Sequence, residues 1–312
     1  LMAKNGFVTA RRYAFVTAAL RWRQWLPEFV LLGVIWGSSF LFMRMTSQEF
    51  GSWSTAWLRV SVAWLTLLPF LLWQGQAHSL GLHWKRVLPM GVVNSGIPFI
   101  CYAYAVMSIT TGLSSILNST TPLFGALIAW VWFKQHPGNS RSVGLFLGFA
   151  GAVLLALTMP GGVSFKAGGS GWAVLACLLA TTCYGLSTHY SQRYLNDVPT
   201  MTIAAGSQLG ASLVLALPGI WFWPEQWPSD SAWWSLLMIG VVCTGLAYVL
   251  YFRLIAKVGA SRTMTVTYLI PLFANIIGIA FLNEVITTWV ILCAAMILTG
   301  TALAAGLVKL PR

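Results

Sequence analysis

The 312-residue chain is poor in charge: Asp, Glu, Lys and Arg make up 8% of it, and only six residues are acidic. An average soluble domain carries about 25% charged residues. A globule of this size could not cover its surface with so few. Disorder is excluded by the opposite excess. Hydrophobic residues make up 58% of the chain and the mean hydropathy is +0.76, whereas disordered chains are weakly hydrophobic. The usual marks of metal and redox chemistry are missing too. Cys101, Cys177, Cys183, Cys243 and Cys293 lie in apolar stretches, form no CxxC and are odd in number, so they read as small buried hydrophobes. There is no HExxH, and His78 and His83 share a loop with no acid nearby; no metal and no cofactor is expected. Intramembrane hydrolysis also lacks its parts. GxSG is absent, with GLSS, GASL, GLST and GASR the nearest approaches, and Asp197 and Asp230 fall between apolar stretches rather than inside them. The expectation is a protein that is not an enzyme.

What the chain does have is ten apolar stretches, at 27–46, 53–73, 87–107, 111–133, 143–160, 171–192, 199–220, 232–256, 260–282 and 286–307. Each is long enough, or nearly so, to cross a ~30 Å hydrocarbon layer as a helix. Barrel strands would be half that length with alternating polarity. The connections are short, so no soluble domain fits between them, and the lipid bilayer is the expected environment. The formal charge of +12 does not form a nucleic-acid patch, because apolar stretches separate the basic residues. Placing the N-terminus inside puts fifteen Lys and Arg on the inner side: five in the arm 1–26, then Lys85, Arg86, Lys134, Arg141, Arg193, Arg253, Lys257, Arg262, Lys309 and Arg312. Arg44 and Lys166 fall outside, and Arg59 lies within the second stretch. The positive-inside rule therefore puts both termini in the cytoplasm. The arm 1–26 reads as a basic interfacial segment; its short apolar run at 13–20 is not followed by a small-residue cleavage site.

The chain also repeats itself. A shift of 149 lays residues 84–154 on 233–303 without a gap, matching Trp84, Gly91, Gly96, Tyr102 and Gly151 with Trp233, Gly240, Gly245, Tyr251 and Gly300, and Pro122-Leu123-Phe124 with Pro271-Leu272-Phe273. A shift of 148 lays Trp36-Gly37 and Ser39 on Tyr184-Gly185 and Ser187. The halves are then 27–160 and 171–307, with five stretches each. Five is odd, so the second half enters the membrane from the opposite side. The fold class expected is an all-α polytopic membrane protein, ten transmembrane helices in a 5+5 inverted-topology repeat, an arrangement used for alternating access.

On these features the chain resembles the EamA-type ten-helix members of the drug/metabolite transporter superfamily over about 27–307. The resemblance is carried by WGSSF at 36–40, the Pro-centred fourth and ninth stretches, LNEVI at 282–286 and the Gly300 region. Within the superfamily it is similar to bacterial amino-acid exporters of the YddG kind. It departs from them at Gln135, where the Glu that opens the fifth span is expected; Glu284 keeps it in the tenth. The resemblance implies a multi-pass protein of the bacterial inner membrane with a small-molecule substrate. A monomer is expected. An intramembrane enzyme and a multidrug or other-metabolite transporter of the same fold are the alternatives.

Candidate site residues cluster at mid-stretch. Pro122 and Pro271 lack an N–H and free the carbonyls of Asn118 and Thr267, which in lipid need protein or a wet cavity. The preceding residues are polar, among them Asn118, Ser119, Thr267 and Tyr268. Substrate binding is expected at these residues, with Pro122 and Pro271 as kinks or gates, although Ser, Thr and Asn also join helices and proline also bends them. Trp36 and Phe40, matched by Tyr184 and Thr188, and Phe99 and Tyr102, matched by Tyr248 and Tyr251, with Ser95 beside them, complete the expected lining. His189 is the one deep histidine, either a substrate or proton contact or a bond to a neighbouring helix. Arg59 and Arg253 sit a turn or two inside and can snorkel. Glu284 reads as a helix cap. With no deep carboxylate for drug cations and no midplane cluster of bases for phosphates, an amino acid or a related zwitterion suits the lining.

Overall fold

A computed structural model describes residues 2–134, 136–158, 162–259 and 263–308, with side chains from Trp25 onward except Phe133. The basic side chains at 4–23, and Gln135, Arg262, Lys309 and Arg312, lie outside the described residues. Every regular element among the described residues is helical. The run Met2–Trp73 is interrupted at Gly51, whose φ of 73° and ψ of 171° suit only glycine. It is therefore two helices, α1 (2–50) and α2 (52–73). Next come α3 (Ala77–Gly91), a π-helical stretch Val92–Gly96 and α4 (Ile97–Ser108). After them stand α5 (Thr111–Asn118), α6 (Thr121–Phe133) and α7 (Asn139–Thr158). The second half has α8 (Ser170–Tyr194), α9 (Thr200–Trp221), α10 (Asp230–Leu237), a π-helical stretch Met238–Leu246 and α11 (Ala247–Val258). It ends with a 3₁₀ turn Thr265–Tyr268, α12 (Ile270–Leu282) and α13 (Thr288–Ala304). Seven helical runs among the described residues are long and apolar enough to cross a membrane, and Thr288–Ala304 is a shorter apolar helix.

The repeat in the sequence is a repeat of structure. Helices α2 and α9 correspond end to end at a shift of 148, and α6 and α12 at 149. Val92–Gly96 shifted by 149 falls inside Met238–Leu246, so both third helices widen to π geometry at the same place. The two non-glycine residues with positive φ among the described residues are also partners: Lys134 (φ 54°) ends α6 and Asn283 (φ 53°) ends α12, each supplying the left-handed residue that closes a helix.

Contacts between the halves are exchanged in kind. A Cβ on Gly37 would stand 2.6 Å from Phe273 Cβ and 3.0 Å from Ala274 N; a Cβ on Gly185 would stand 3.0 Å from Gly125 N and 3.2 Å from the Phe124 carbonyl carbon. These are the same pairs under the shift, with the halves swapped. Gly91 packs on the backbone of Ser207, and Gly240 on Val62 and the backbone at Arg59, again exchanged. Reciprocal contact of this kind is what a two-fold relation produces. The closing pair is α7 against α13, each the fifth helix of its half.

The prolines do not kink continuous helices. Ser119 and Thr120 form a turn between α5 and α6, and Pro122 is the second residue of α6; Pro271 is likewise second in α12, after the 3₁₀ turn. Proline fits the first turn of a helix because its missing N–H would have no partner there. The Asn118 carbonyl is not left open, since the Thr121 hydroxyl donates to it at 2.8 Å.

Candidate functional site

The broken helices, the π-helical stretches and α2 and α9 carry one connected group of polar and aromatic side chains. Tyr102 on α4 is 2% exposed; its hydroxyl donates to Asn118 Oδ1 at 2.9 Å. Its ring lies edge-on to Phe40, with centroids 5.7 Å apart, and stacks on Tyr184 at 6.3 Å. Trp36 meets Tyr251 at 5.3 Å. Ser187, next to Tyr184 on α8, donates to Asn94 Oδ1 at 2.9 Å, and Asn94 Nδ2 reaches both Ser95 Oγ and Tyr248 OH at 3.4 Å. Gln208 on α9 is fully buried and donates to Ser95 Oγ at 2.9 Å. Thus Phe40, Ser95, Tyr102, Asn118, Tyr184 and Tyr248 are brought together. Phe40, Ser95, Tyr102, Ser187 and Gln208 are sealed, whereas Trp36, Asn94, Asn118, Tyr184, Tyr248 and Tyr251 keep partial exposure.

Other expected site residues are placed elsewhere or used locally. The Ser119 hydroxyl donates to Ser115 O, and that of Thr267 to Met264 O within its own turn. Tyr268 lies toward Thr301 on α13. His189 bonds through Nε2 to the Gly125 carbonyl on α6 at 2.8 Å. It also lines an open cleft of about 520 Å³ with Met90, Val93, Trp132, Ser187 and Arg193. Since Ser187 belongs to both, the cleft reaches the central group from the Arg193 end of α8.

Arg59 is the main surprise. Snorkelling is ruled out: the residue is 6% exposed, its Nε donates to Thr244 Oγ1 at 3.0 Å, and its guanidinium carbon stands 3.6 Å from the centre of the Phe99 ring. Phe99, read from sequence as lining, is the platform under this cation. Helix α2 is covered by α9 and by the Met238–Leu246 stretch, so Arg59 has no exit to the surface. Arg253 does reach out, and with Lys257 it binds Glu28, at 3.1 and 2.7 Å.

Glu284 is a cap, but of another helix. It accepts from Thr111 N at 2.7 Å, Thr111 Oγ1 at 2.9 Å and Gly112 N at 3.2 Å, and Arg44 stands 3.4 Å away. It therefore closes the start of α5 across the repeat, while Thr287 caps α13. Two further acids form clamps. Glu49, at the end of α1, accepts from Ser229 N and Oγ at 2.6 and 2.7 Å, holding the start of α10. Asp197, between α8 and α9, receives both Nη atoms of Arg86 on α3 at 3.1 and 3.0 Å, with His83 at 3.8 Å. Glu49 and Asp197 are partners at the 148 shift. Hydrogen bonding to Arg86 holds the Asp197 carboxyl below the usual carboxylate range.

Comparison with known proteins agrees with this architecture. The model of the EamA-like transporter family matches residues 25–157 and 171–306, one match per half. An uncharacterized transporter of Bacillus subtilis, YvbV, is 25% identical over 223 residues, covering 70% of this chain and 71% of its own. The chloroplastic WAT1-related protein At3g02690 of Arabidopsis thaliana is 26% identical over 85% of this chain, which spans 65% of that protein. The uncharacterized inner membrane transporter YedA of Escherichia coli is 23% identical, over 86% of this chain and 87% of its own. A solved crystal structure, 20% identical, superposes with a TM-score of 0.64 over 90% of this chain and 96% of that one, a likeness of fold.

Proposed function

The chain belongs to the EamA-like transporter family and is a multi-pass membrane protein; from that premise we propose that it is a secondary transporter, not an enzyme, exporting amino acids or related small zwitterionic metabolites by alternating access. Ten crossings, five per half, with the halves inverted, form the working unit in the bacterial inner membrane, and both termini face the cytoplasm. The observation that carries this reading is the exchange of contacts between halves, Gly37 on Phe273–Ala274 against Gly185 on Phe124–Gly125. Two similar bundles that swap partners have two near-equivalent arrangements, which is the physical requirement for opening to either side.

The ion pairs support the sorting of connections onto two faces, and the positive-inside rule supplies which face is inner. Under the positive-inside assignment, Arg44, Glu284 and Thr111 share the outer face, as do Glu49 and Ser229; Arg86, His83 and Asp197 share the inner face, as do Glu28, Arg253 and Lys257. Among the described residues, none of these pairings joins groups assigned to opposite faces. The Glu49 clamp is then an outer latch and the Asp197 clamp an inner one, each binding the third helix of the opposite half. The cleft beside Arg193 opens to the cytoplasm and leads solute toward Asn94 and Tyr248. The breaks before α6 and α12 put half-helix starts beside this group, where backbone N–H groups suit polar solute.

Counterflow of radiolabelled amino acids in proteoliposomes, with and without a pH gradient, tests the reading. Asn118→Leu removes the acceptor that holds Tyr102 and should lower flux roughly tenfold with unchanged elution as a monodisperse protein. Full flux in that variant, or no flux of any panel member in the wild type, refutes the assignment.

A further inference from the structure

Arg59 is the one buried cation among the described residues that meets no carboxylate within ion-pair distance. Its guanidinium cannot shed its charge, and a charge inside a bilayer-spanning bundle persists only where something compensates it. The protein provides a hydroxyl on one edge and an aromatic face beneath. The Tyr184, Tyr248 and Cys243 side chains stand around it, all neutral groups. The two Nη atoms, which form the fork that matches a carboxylate, make no hydrogen bond among the described residues.

The repeat shows that this cation is not part of the fold's symmetry. Thr244, which receives Arg59, is the counterpart of Ser95 at a shift of 149. Ser95 receives Gln208, next to Ser207, the counterpart of Arg59 at 148. Each half therefore sends a donor from its second helix to a hydroxyl in the π-helical stretch of the other half. One donor is neutral and the other charged. The neutral version serves the fold, so the charge answers another need. On the neutral side the Gln208 Oε1 atom is buried without any partner, an acceptor waiting for a donor. The cation without an anion and the acceptor without a donor lie on either side of Tyr248, which stands near Arg59 and receives Asn94 Nδ2, whose other contact, Ser95, receives Gln208.

Resting on the transport reading above, we infer that Arg59 is the carboxylate-binding residue of the transported solute, so that the site selects solutes with one carboxylate. Phe99 fixes the plane of the guanidinium and Thr244 its rotation, leaving the Nη fork to grip both oxygens. One cation matches one negative charge, which disfavours phosphates and dicarboxylates.

The probes are labelled L-leucine, L-phenylalanine and L-threonine in wild-type proteoliposomes, with each unlabelled amino acid and its amide as competitors. The acid should compete at least about tenfold better than the amide, in keeping with the strength of charge-assisted paired hydrogen bonds. Arg59→Lys should keep part of that preference and Arg59→Gln should abolish it. Equal competition by acid and amide in the wild type overturns the inference while transport stands, and this arm needs no folded variant. A preference that survives in Arg59→Gln overturns it as well. A wild type that moves none of the three overturns the zwitterion reading, and the carboxylate anchor with it.

Discussion

Glu284→Ala offers the sharpest check on how the halves hold each other. The Glu284 side chain is 8% exposed and accepts from two backbone N–H groups and one hydroxyl at the start of α5. Truncation leaves the N–H groups of Thr111, itself 1% exposed, and Gly112 without an acceptor. An unsatisfied buried donor costs about 1–3 kcal/mol, toward the upper end where its acceptor was charged, so the two N–H groups together cost about 3–5 kcal/mol. At roughly 2 °C per kcal/mol for a chain of this length, the melting temperature should fall by about 6–10 °C. Intrinsic fluorescence during heating in detergent reads this directly, with 17 Trp as reporters. Glu284→Gln keeps one oxygen but turns an amide N–H₂ toward other donors, so it should lose about half as much. Arg44→Ala should lose under about 1 kcal/mol, because the pair is 3.4 Å long and Arg44 is 28% exposed. Thr287→Ala, which removes the cap of α13, should cost about 1 kcal/mol. A Glu284→Ala protein melting within 2 °C of wild type, or an Arg44→Ala protein as damaged as Glu284→Ala, would refute the cross-repeat cap.

The latches predict opposite shifts. Asp197→Asn should populate the inward-open arrangement and Glu49→Gln the outward-open one, read as spin-label distances across each face; shifts of the same sign in both would contradict the two-latch scheme. The pH dependence follows from the depressed Asp197 carboxyl. Its stabilising contribution is fully present above the ordinary carboxylate value and is lost as pH falls through the lower folded one. The inner distance should therefore hold from pH 8 to about 5 and lengthen only below about pH 4, and Asp197→Asn should remove that acid response. Gly300→Val should abolish the folded protein, since even a Cβ there would collide with the Gly148 backbone; a monodisperse, heat-stable variant would show that α7 and α13 can separate.

Much of the architecture was legible in the residues because apolar length and a fixed shift are local properties. The shift of 149 drawn from Pro122 and Pro271 brings α6 and α12 into register along their whole length. The ends of helices were less legible. Apolar content begins at 87, whereas α3 begins at Ala77, because its first turns pack against α8 and α9 with Arg86 held by Asp197. The prolines carried the right places and the wrong geometry: composition marks a break, but not whether it lies within a helix or before one. Arg59 was missed for a different reason. Depth along a helix is readable, whereas which face its neighbours cover is not, and α2 turns Arg59 toward Phe99 on α4 and the π-helical stretch. A signal was available in Ser207-Gln208, which lies at the same shift and holds the one side-chain amide of α9. Glu49 and Asp197 could have been paired by the same arithmetic.

The exchanged packing bears on how such a chain can be made. Each half leaves its first and third helices resting on the other, and α5 starts on a carboxylate that arrives some 170 residues later. Neither half is a finished object when it leaves the ribosome. Severing the peptide in the stretch around Lys166 should therefore yield two fragments that are each degraded alone yet rescue one another when produced together, as a heterodimer.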